Sequence, residues 1–142
     1  MRKHKIFLDE TILRHLIIPD KPDMMADTLQ LWTRLQSGVY ENYVPETVTQ
    51  AYEMILSQIQ ITSITPHVGI ESLAQRFIDL NISDNFNECI NIAAALSYEC
   101  DFYVSWNYKH IVNKKTIRGT KIVAMMEDLK DIVICTPTML IQ

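Results

Sequence analysis

Apolar residues are grouped along the chain in two ways, as short runs and as longer stretches with apolar positions three and four residues apart. Short runs at residues 5–8, 40–44, 102–106 and 132–134 predict buried β-strands. Helical spacing predicts helices over residues 11–17, 23–38, 45–59, 70–78 and 83–96, with Pro19 and Pro22 ending the first and Ser83 or Asp84 capping the last. Residues 60–68 are expected to form a connector, with a short strand as the alternative.

The order of these elements predicts the class of fold. Strands that alternate with helices indicate an α/β protein with a mainly parallel sheet and helices on both faces. At ~100 to 200 residues per domain, the 142 residues are expected to form one domain, 1–142. Hydrophobic residues make up 48% of the chain and charged residues 21%, which is typical of a globular protein and excludes wholesale disorder.

The charge balance limits the kinds of partner. The chain has 13 basic and 17 acidic residues, so its net charge of −4 repels nucleic acid and any nucleic-acid site must be local. Only three apolar residues follow the basic start, which does not fit a secretion signal, and no apolar run reaches the ~18 residues of a membrane span. Three cysteines without metal-finger spacing are typical of reduced thiols. We therefore expect a cytoplasmic protein without a membrane segment.

Several polar residues fall where strands are predicted to end. In a parallel α/β sheet, ligands bind outside the carboxyl ends of the strands, and a helix that leads into a strand begins at the same edge. Asp9 ends the first strand, Glu88 lies early in the last predicted helix, and Asn107 and His110 follow the third strand. We expect these four side chains at one edge. Asp101 begins the third strand, about 16 Å away at ~3.3 Å per residue, and is expected at the opposite edge in a structural role.

Two of these acids have the chemistry of a metal site. Converging carboxylates repel one another and are stabilised by a divalent cation, as in Mg²⁺ sites for phosphodiester cleavage, so Asp9 and Glu88 are candidate ligands. The alternatives stay open: Asp9 also fits a helix N-cap, and Glu88 also fits a solvated acid at a helix N-terminus. Glu46 is most simply a first-turn helix acid, and His110 has no local metal partner.

A basic segment, residues 109–121, follows the third predicted strand. No acid occurs between Asp101 and Glu127, and the segment holds five of the thirteen basic residues, namely Lys109, Lys114, Lys115, Arg118 and Lys121. A basic patch beside a metal-capable acidic pocket is what a nuclease needs, because phosphates must be held while a cation activates water. A solvated basic loop is the alternative interpretation.

Three stretches of the chain resemble the PIN-domain proteins, and among them the VapC-like toxins of type II toxin-antitoxin systems. Residues 5–9, Lys-Ile-Phe-Leu-Asp, are similar to the first PIN strand with its metal-binding Asp. Residues 91–95, Asn-Ile-Ala-Ala-Ala, are similar to the PIN helix that carries a further acid. Residues 105–110, Ser-Trp-Asn-Tyr-Lys-His, resemble the polar loop after the fourth strand of PIN domains. The resemblance implies a three-layer α/β/α fold and a Mg²⁺- or Mn²⁺-dependent endoribonuclease.

The acids that the resemblance implies are only partly present. Asp9 matches the family pattern unchanged, whereas Glu88 stands where the family usually has Asp. By this alignment Asn91 replaces a frequent His, Ala51 replaces a Glu, and His110 replaces a loop acid. These departures bear on catalysis rather than on the fold.

Two functions follow from these observations. The leading interpretation is a metal-dependent endoribonuclease of the toxin type, in which Asp9 and Glu88 hold the cation, Asn107 and His110 orient water or phosphate, and the basic segment grips RNA. The alternative is a catalytically silent PIN-like domain that acts by binding a protein or RNA, which the loss of a carboxylate at Ala51 favours. RNA is the expected partner, with an antitoxin protein and a second copy of the chain as further candidates.

Overall fold

The centre of the protein is a five-stranded sheet in which all neighbouring strands are parallel. The computed structural model describes residues 2–18 and 20–142. Its strands are β1 (His4–Leu8), β2 (Tyr40–Pro45), β3 (Ile61–Ile64), β4 (Phe102–Val104) and β5 (Val133–Cys135), in the order β3-β2-β1-β4-β5. The predicted α/β class is therefore confirmed, and the mainly parallel sheet is wholly parallel among the described residues. Strand β3 lies in the segment expected to be a connector, so the alternative given for that segment is correct.

Helices follow or precede every strand. They are α1 (Glu10–Ile17), α2 (Pro22–Gln36), α3 (Glu46–Ala51), α4 (Glu53–Leu56), α5 (Val68–Asp79), α6 (Phe86–Ser97), α7 (Lys114–Met126) and α8 (Pro137–Ile141). Among the described residues, no helix combines the length and the apolar composition that crossing a bilayer requires.

Alternating side chains of β1 enter two separate hydrophobic cores, one on each face of the sheet. Phe7 points to the face covered by α5, α6 and α7, where its ring stacks on that of Tyr103 with centroids 4.8 Å apart. Ile6 and Leu8 point to the other face, which is covered by α1, α2, α3, α4 and α8. Because both faces are buried by helices, the fold has the three α/β/α layers that were expected.

Several element boundaries differ from the sequence prediction. The helix expected over residues 45–59 is interrupted at Tyr52, whose φ of −124° is outside the helical region and separates α3 from α4. The cap of α6 is Asn85 rather than Ser83 or Asp84, because its side chain accepts the Glu88 N–H. Helix α2 already starts at Pro22, which suits a first helical position. The break also assigned to Pro19 lies outside the described residues.

The basic segment is part loop and part helix. Asn113 caps α7 by accepting the Thr116 N–H, so the second half of the segment forms the first two turns of that helix. Helix α7 in turn holds the loop before α6 in place. At Gly119 an added Cβ would lie 2.4 Å from Ile82 Cγ2, so only glycine allows this close packing. The loop and α7 therefore jointly fix where α6, with Glu88, begins.

Candidate functional site

Asp9 stands at the carboxyl edge of the sheet, directly after β1. It is the N-cap of α1, because its Oδ1 accepts hydrogen bonds from the Thr11 N–H at 3.0 Å and from the Thr11 hydroxyl at 2.5 Å. The side chain is only 3% exposed. The N-cap interpretation of Asp9 is thus correct, and it does not exclude a second role, since both bonds end on Oδ1 and leave Oδ2 to other partners.

The environment of Asp9 disfavours its charged form. The pKa of Asp9 is raised from 3.8 to about 6, because burial and, to a smaller extent, the negative charge of Glu88 outweigh the hydrogen bonds of Ser105 and Thr11, which lower it. No ion pair to Asp9 is formed by the residues 2–18 and 20–142. At neutral pH the site therefore contains a buried negative charge that a bound cation would stabilise.

Glu88 provides the second carboxylate of the pair. It lies in the first turn of α6, where the side chain of Asn85 caps its backbone N–H at 3.1 Å. Burial of the half-buried side chain raises the pKa of Glu88, and the charge of Glu10 raises it further. Asp9 follows β1, and Glu88 lies at the start of α6, which leads into the neighbouring strand β4, so both lie at the carboxyl edge of the sheet, where the charge of Glu88 acts on Asp9. We call them the acidic pair. Glu10, which the sequence analysis did not consider, adds negative charge beside them.

A buried tyrosine hydroxyl also belongs to this region. Tyr103 in β4 is fully buried, and within the described part of the chain its hydroxyl makes no hydrogen bond of good geometry. The pKa of Tyr103 is raised well above 10, mainly by burial and also by the charges of Asp9 and Glu88. The Asn91 side chain has the opposite effect and lowers this pKa. The hydroxyl therefore lies near both acids and near Asn91, one turn after Glu88. Sequence reasoning missed it because a tyrosine in a buried strand has no distinguishing pattern.

A chain of hydrogen bonds joins Asp9 to the loop after β4. The Thr11 hydroxyl, which donates to Asp9, accepts the Trp106 N–H at 2.9 Å and lies 3.4 Å from the Ser105 hydroxyl. The Ser105 hydroxyl accepts the Asn107 N–H at 2.9 Å. The orientation of Asp9 thus depends on two elements from distant parts of the sequence, and neither Thr11 nor Ser105 was among the candidate site residues.

Asn107 and His110 hold their own loop together. The Asn107 Oδ1 accepts the His110 N–H at 3.0 Å, and the His110 carbonyl accepts the Thr116 hydroxyl at 3.0 Å. The His110 side chain lines an open cleft of about 580 Å³ together with Ser83 and other residues, and neither Asp9 nor Glu88 lines it. The structure therefore joins Asn107 to the acidic pair through Ser105 and places His110 in the neighbouring cleft.

The five basic residues expected to bind RNA lie in different settings. Lys109 is exposed in the loop after β4, and three cations are exposed in the first two turns of α7, namely Lys114, Lys115 and Arg118. Lys121 is engaged in an ion pair with Asp131 at 2.7 Å. The first turn of α7 contains no acid, although acids are the residues that its dipole favours.

Two further residues discussed in the sequence analysis, Asp101 and Ala51, lie away from the acidic pair. Asp101 lies at the opposite edge, where its side chain accepts the Lys5 N–H at 2.7 Å and pairs with Arg2 and Lys130, so its predicted remote, structural role is confirmed. Ala51 is exposed at the end of α3 and lines an apolar groove with Ile17, at the far end of α1 from Asp9.

The donor set fits a weakly bound, largely hydrated cation. Among the described residues, no group of three or more His, Cys, Asp or Glu side chains is placed to hold a metal. The acidic pair nevertheless offers two carboxylates, and Mg²⁺ commonly binds through one or two carboxylates while keeping several waters. The unpartnered hydroxyl of Tyr103 beside the pair could hydrogen-bond such a water.

Comparison with known proteins does not assign the chain to a family. Neither a family model nor a curated protein matches the sequence. The functional interpretation consequently depends on the geometry of the acidic pair and its surroundings.

Proposed function

We propose that this protein is a metal-dependent endoribonuclease of the PIN toxin type. The observation that carries the proposal is the acidic pair: Asp9 is buried, lies at the same ligand-binding edge of the parallel sheet as Glu88, and has its pKa raised to about 6. Strongly perturbed carboxylates at such an edge are characteristic of functional sites. The resemblance of residues 5–9 and 105–110 to PIN stretches supports the same activity.

The residues of the site have different roles in the proposed reaction. Asp9 and Glu88 would hold Mg²⁺ or Mn²⁺, and Thr11 and Ser105 keep Asp9 in position. When bound, the cation would neutralise charge on a phosphodiester and lower the pKa of a coordinated water. Asn107 lines the same cleft as Thr11, and its amide NH₂ would orient water or a phosphate oxygen there. Lys109 is exposed in the loop after β4, where it can contact RNA, and His110 lines the neighbouring cleft.

A second candidate is the catalytically silent PIN-like domain that binds RNA or a protein. Two observations favour it, namely the absence of a three-ligand metal group among the described residues and the position of Ala51 away from the acidic pair. Under either candidate, RNA, an antitoxin protein, a second copy of the chain and a cytoplasmic location stay predictions.

The decisive experiment is RNA cleavage by the purified protein at increasing Mn²⁺ or Mg²⁺. We expect cleavage only at raised metal concentration, with Mn²⁺ more effective because it generally binds such ligands more tightly. Asp9→Asn should lower the rate by about 100-fold or more, since even residues that only orient metal ligands are worth ~10 to 100-fold.

The matched control is Asp101→Asn, which removes the same charge at the opposite edge of the sheet and should leave the cleavage rate unchanged. RNA binding without cleavage at any metal concentration would favour the silent-domain candidate. Equal activity in wild type and Asp9→Asn would contradict the nuclease proposal.

A further inference from the structure

A second cleft, beside the acidic pair, has a lining without any acid. It has a volume of about 490 Å³ and lies between α1, the start of α2 and the loop after β4. We call it the cationic cleft, and the residues that matter here are Arg14, His15, Lys21, Asn107, Tyr108 and Lys109. In a chain with four more acids than bases, a cleft lined by three cations and no carboxylate is an unusual concentration of positive charge.

The three cations of the cationic cleft are not neutralised by ion pairs. Within residues 2–18 and 20–142, no carboxylate lies at ion-pair distance from Arg14, Lys21 or Lys109, whereas Lys121 and Lys130 both have such partners. All three side chains are exposed. Their charges are therefore available to an anion from solution.

His15 forms part of the wall of the cleft. It is 8% exposed, and its buried Nδ1 has no hydrogen-bond partner among the described residues. Burial lowers the pKa of His15, as do the charges of Arg14 and Lys21, while that of Asp20 raises it. The imidazole is therefore neutral at pH 7, and the positive charge of the cleft comes from Arg14, Lys21 and Lys109.

The remaining walls of the cleft are an aromatic side chain held by internal contacts and an amide that can donate hydrogen bonds. The Trp106 ring packs 5.8 Å from that of His15, and its Nε1 donates to the Thr28 hydroxyl at 2.8 Å. Because the Asn107 Oδ1 already accepts the His110 N–H, its amide NH₂ is the group left for a ligand. Donors and cations together favour a phosphate or another oxyanion.

An exposed aromatic side chain indicates which oxyanion the cleft suits. Tyr108 borders the cationic cleft and is 55% exposed, so its ring is open to contact. An aromatic ring next to a cationic groove is the arrangement that binds single-stranded nucleic acid, in which unstacked bases lie on the ring and cations hold the phosphates. An acidic peptide would use the cations but not the ring.

The cationic cleft adjoins Asp9 of the acidic pair through Thr11. Thr11 lines the cleft and also donates to Asp9. Arg14 follows Asp9 by five residues in α1, which corresponds to about 7 Å along the helix axis. A phosphate in the cleft would therefore belong to a nucleotide next to one held at the acidic pair.

We propose that the cationic cleft binds a backbone phosphate and the adjacent unpaired base of a single-stranded RNA, flanking the nucleotide at the acidic pair. The inference rests on the proposed function for the nature of the substrate. It assigns the main RNA contacts to Arg14, Lys21, Lys109 and Tyr108, rather than to the cations of α7.

The test is binding of a fluorescently labelled, unstructured 12-nucleotide RNA to the full chain, followed by anisotropy in EDTA so that cleavage plays no part. The double variant Arg14→Gln with Lys21→Gln should weaken binding by about 10-fold or more and reduce the slope of log K against log salt by roughly 0.7, the value for one lost phosphate contact on a single strand. The matched control, Lys114→Gln with Arg118→Gln, removes the same charge from exposed positions of α7 and should change binding by less than about 3-fold. Circular dichroism verifies that both variants are folded.

Variants of Tyr108 test the contact with the base independently of the contacts made by the cations. Tyr108→Ala should weaken RNA binding by about 10-fold, and Tyr108→Phe should restore it, because a stacked base is worth ~1 to 3 kcal/mol and needs only the ring. Unlabelled polyuridylate should compete with the labelled RNA far better than polyglutamate does.

The outcomes separate this inference from the nuclease proposal. Equal weakening by both double variants, no effect of Tyr108→Ala, competition by polyglutamate as strong as by polyuridylate, or no RNA binding by the wild type would each overturn the inference. Loss of RNA binding in Arg14→Gln with Lys21→Gln, together with no cleavage by the wild type, would keep the cationic cleft and reject the nuclease.

Discussion

A buried carboxylate that ionises without a cation partner destabilises the folded state, and Asp9 is such a residue. The folded protein holds the Asp9 proton more tightly than the unfolded chain does, because the pKa rises from 3.8 to about 6. The contribution of Asp9 to stability is therefore fully present below pH 3.8 and is lost as the pH rises through about 6. The difference corresponds to roughly 3 kcal/mol.

The prediction concerns Asp9→Asn, which keeps the N-cap, since Asn caps helices as well as Asp does. Between pH 5 and pH 7.5 the free energy of unfolding should fall by about 1 to 1.5 kcal/mol less in this variant than in the wild type. Urea unfolding in EDTA at the two pH values measures the difference. An identical pH dependence in both proteins would show that Asp9 titrates normally.

Asp101 is the opposite case, an acid whose surroundings favour its charge. Burial alone would raise its pKa, but hydrogen bonds from Lys130, the Lys5 N–H and Arg2 bring the pKa well below 3.8. Its stabilising contribution is present above pH 3.8 and disappears as the pH falls through the lower folded pKa. Asp101→Asn should therefore destabilise the protein at pH 7 by about 1 to 3 kcal/mol without affecting RNA cleavage. Urea unfolding measures the first effect, and a loss of cleavage would argue that the two edges of the sheet are coupled.

At the scale of elements, one hydroxyl connects α1 to the loop after β4. Thr11→Val keeps the shape of the side chain but leaves the Trp106 N–H without its acceptor and Asp9 without one donor. We expect a loss of about 2 kcal/mol in the free energy of unfolding and a higher Mn²⁺ requirement for cleavage. Thr11→Ser is the matched control, because it retains the hydroxyl and should preserve both properties. A Val variant as stable and as active as the Ser variant would remove Thr11 from the site.

Helix placement also decides where a third carboxylate would be useful. Ala51 matches a family Glu by alignment, yet it lies at the end of α3 beside Ile17, so Ala51→Glu should leave the Mn²⁺ requirement unchanged. Asn91 is one turn after Glu88 and close to the Tyr103 hydroxyl, so Asn91→Asp should add a ligand and lower the required Mn²⁺ several-fold. Cleavage measured against Mn²⁺ concentration compares the two. Rescue by Ala51→Glu but not by Asn91→Asp would reverse this assignment.

At the scale of the whole molecule, the sequence predicted the features that depend on periodicity and strand order. The strand-end rule brought Asp9 and Glu88 to one edge and put Asp101 at the other, because those positions follow from chain direction alone. It could not reveal Tyr103, whose importance depends on contacts between β4 and α6. The sequence also could not show that the loop after β4 borders two different clefts, one lined by His110 and the other the cationic cleft. The cationic cleft combines Arg14 and Lys21 with residues more than 80 positions away in the chain.

Ligand binding at the acidic pair should appear as a change in the stability of the whole protein, independent of any activity. A cation that binds only the folded state stabilises it by RT ln(1 + [L]/Kd), which is about 1.4 kcal/mol at ten times Kd. For a protein of 142 residues this corresponds to a rise of roughly 4 °C in Tm. Protons compete with the cation for the same two carboxylates, whose pKa values are raised, so the rise should be larger at pH 7.5 than at pH 5.5.

The measurement is thermal unfolding with and without millimolar Mn²⁺ at both pH values, in wild type, Asp9→Asn, Glu88→Gln and Asp101→Asn. Asp9→Asn and Glu88→Gln should lose most of the rise in Tm because each removes one of the two carboxylates, whereas Asp101→Asn should keep it despite its lower starting Tm. A rise that is equal in all four proteins, or independent of pH, would mean that Mn²⁺ binds elsewhere on the surface, and the acidic pair would then have no part in holding a metal.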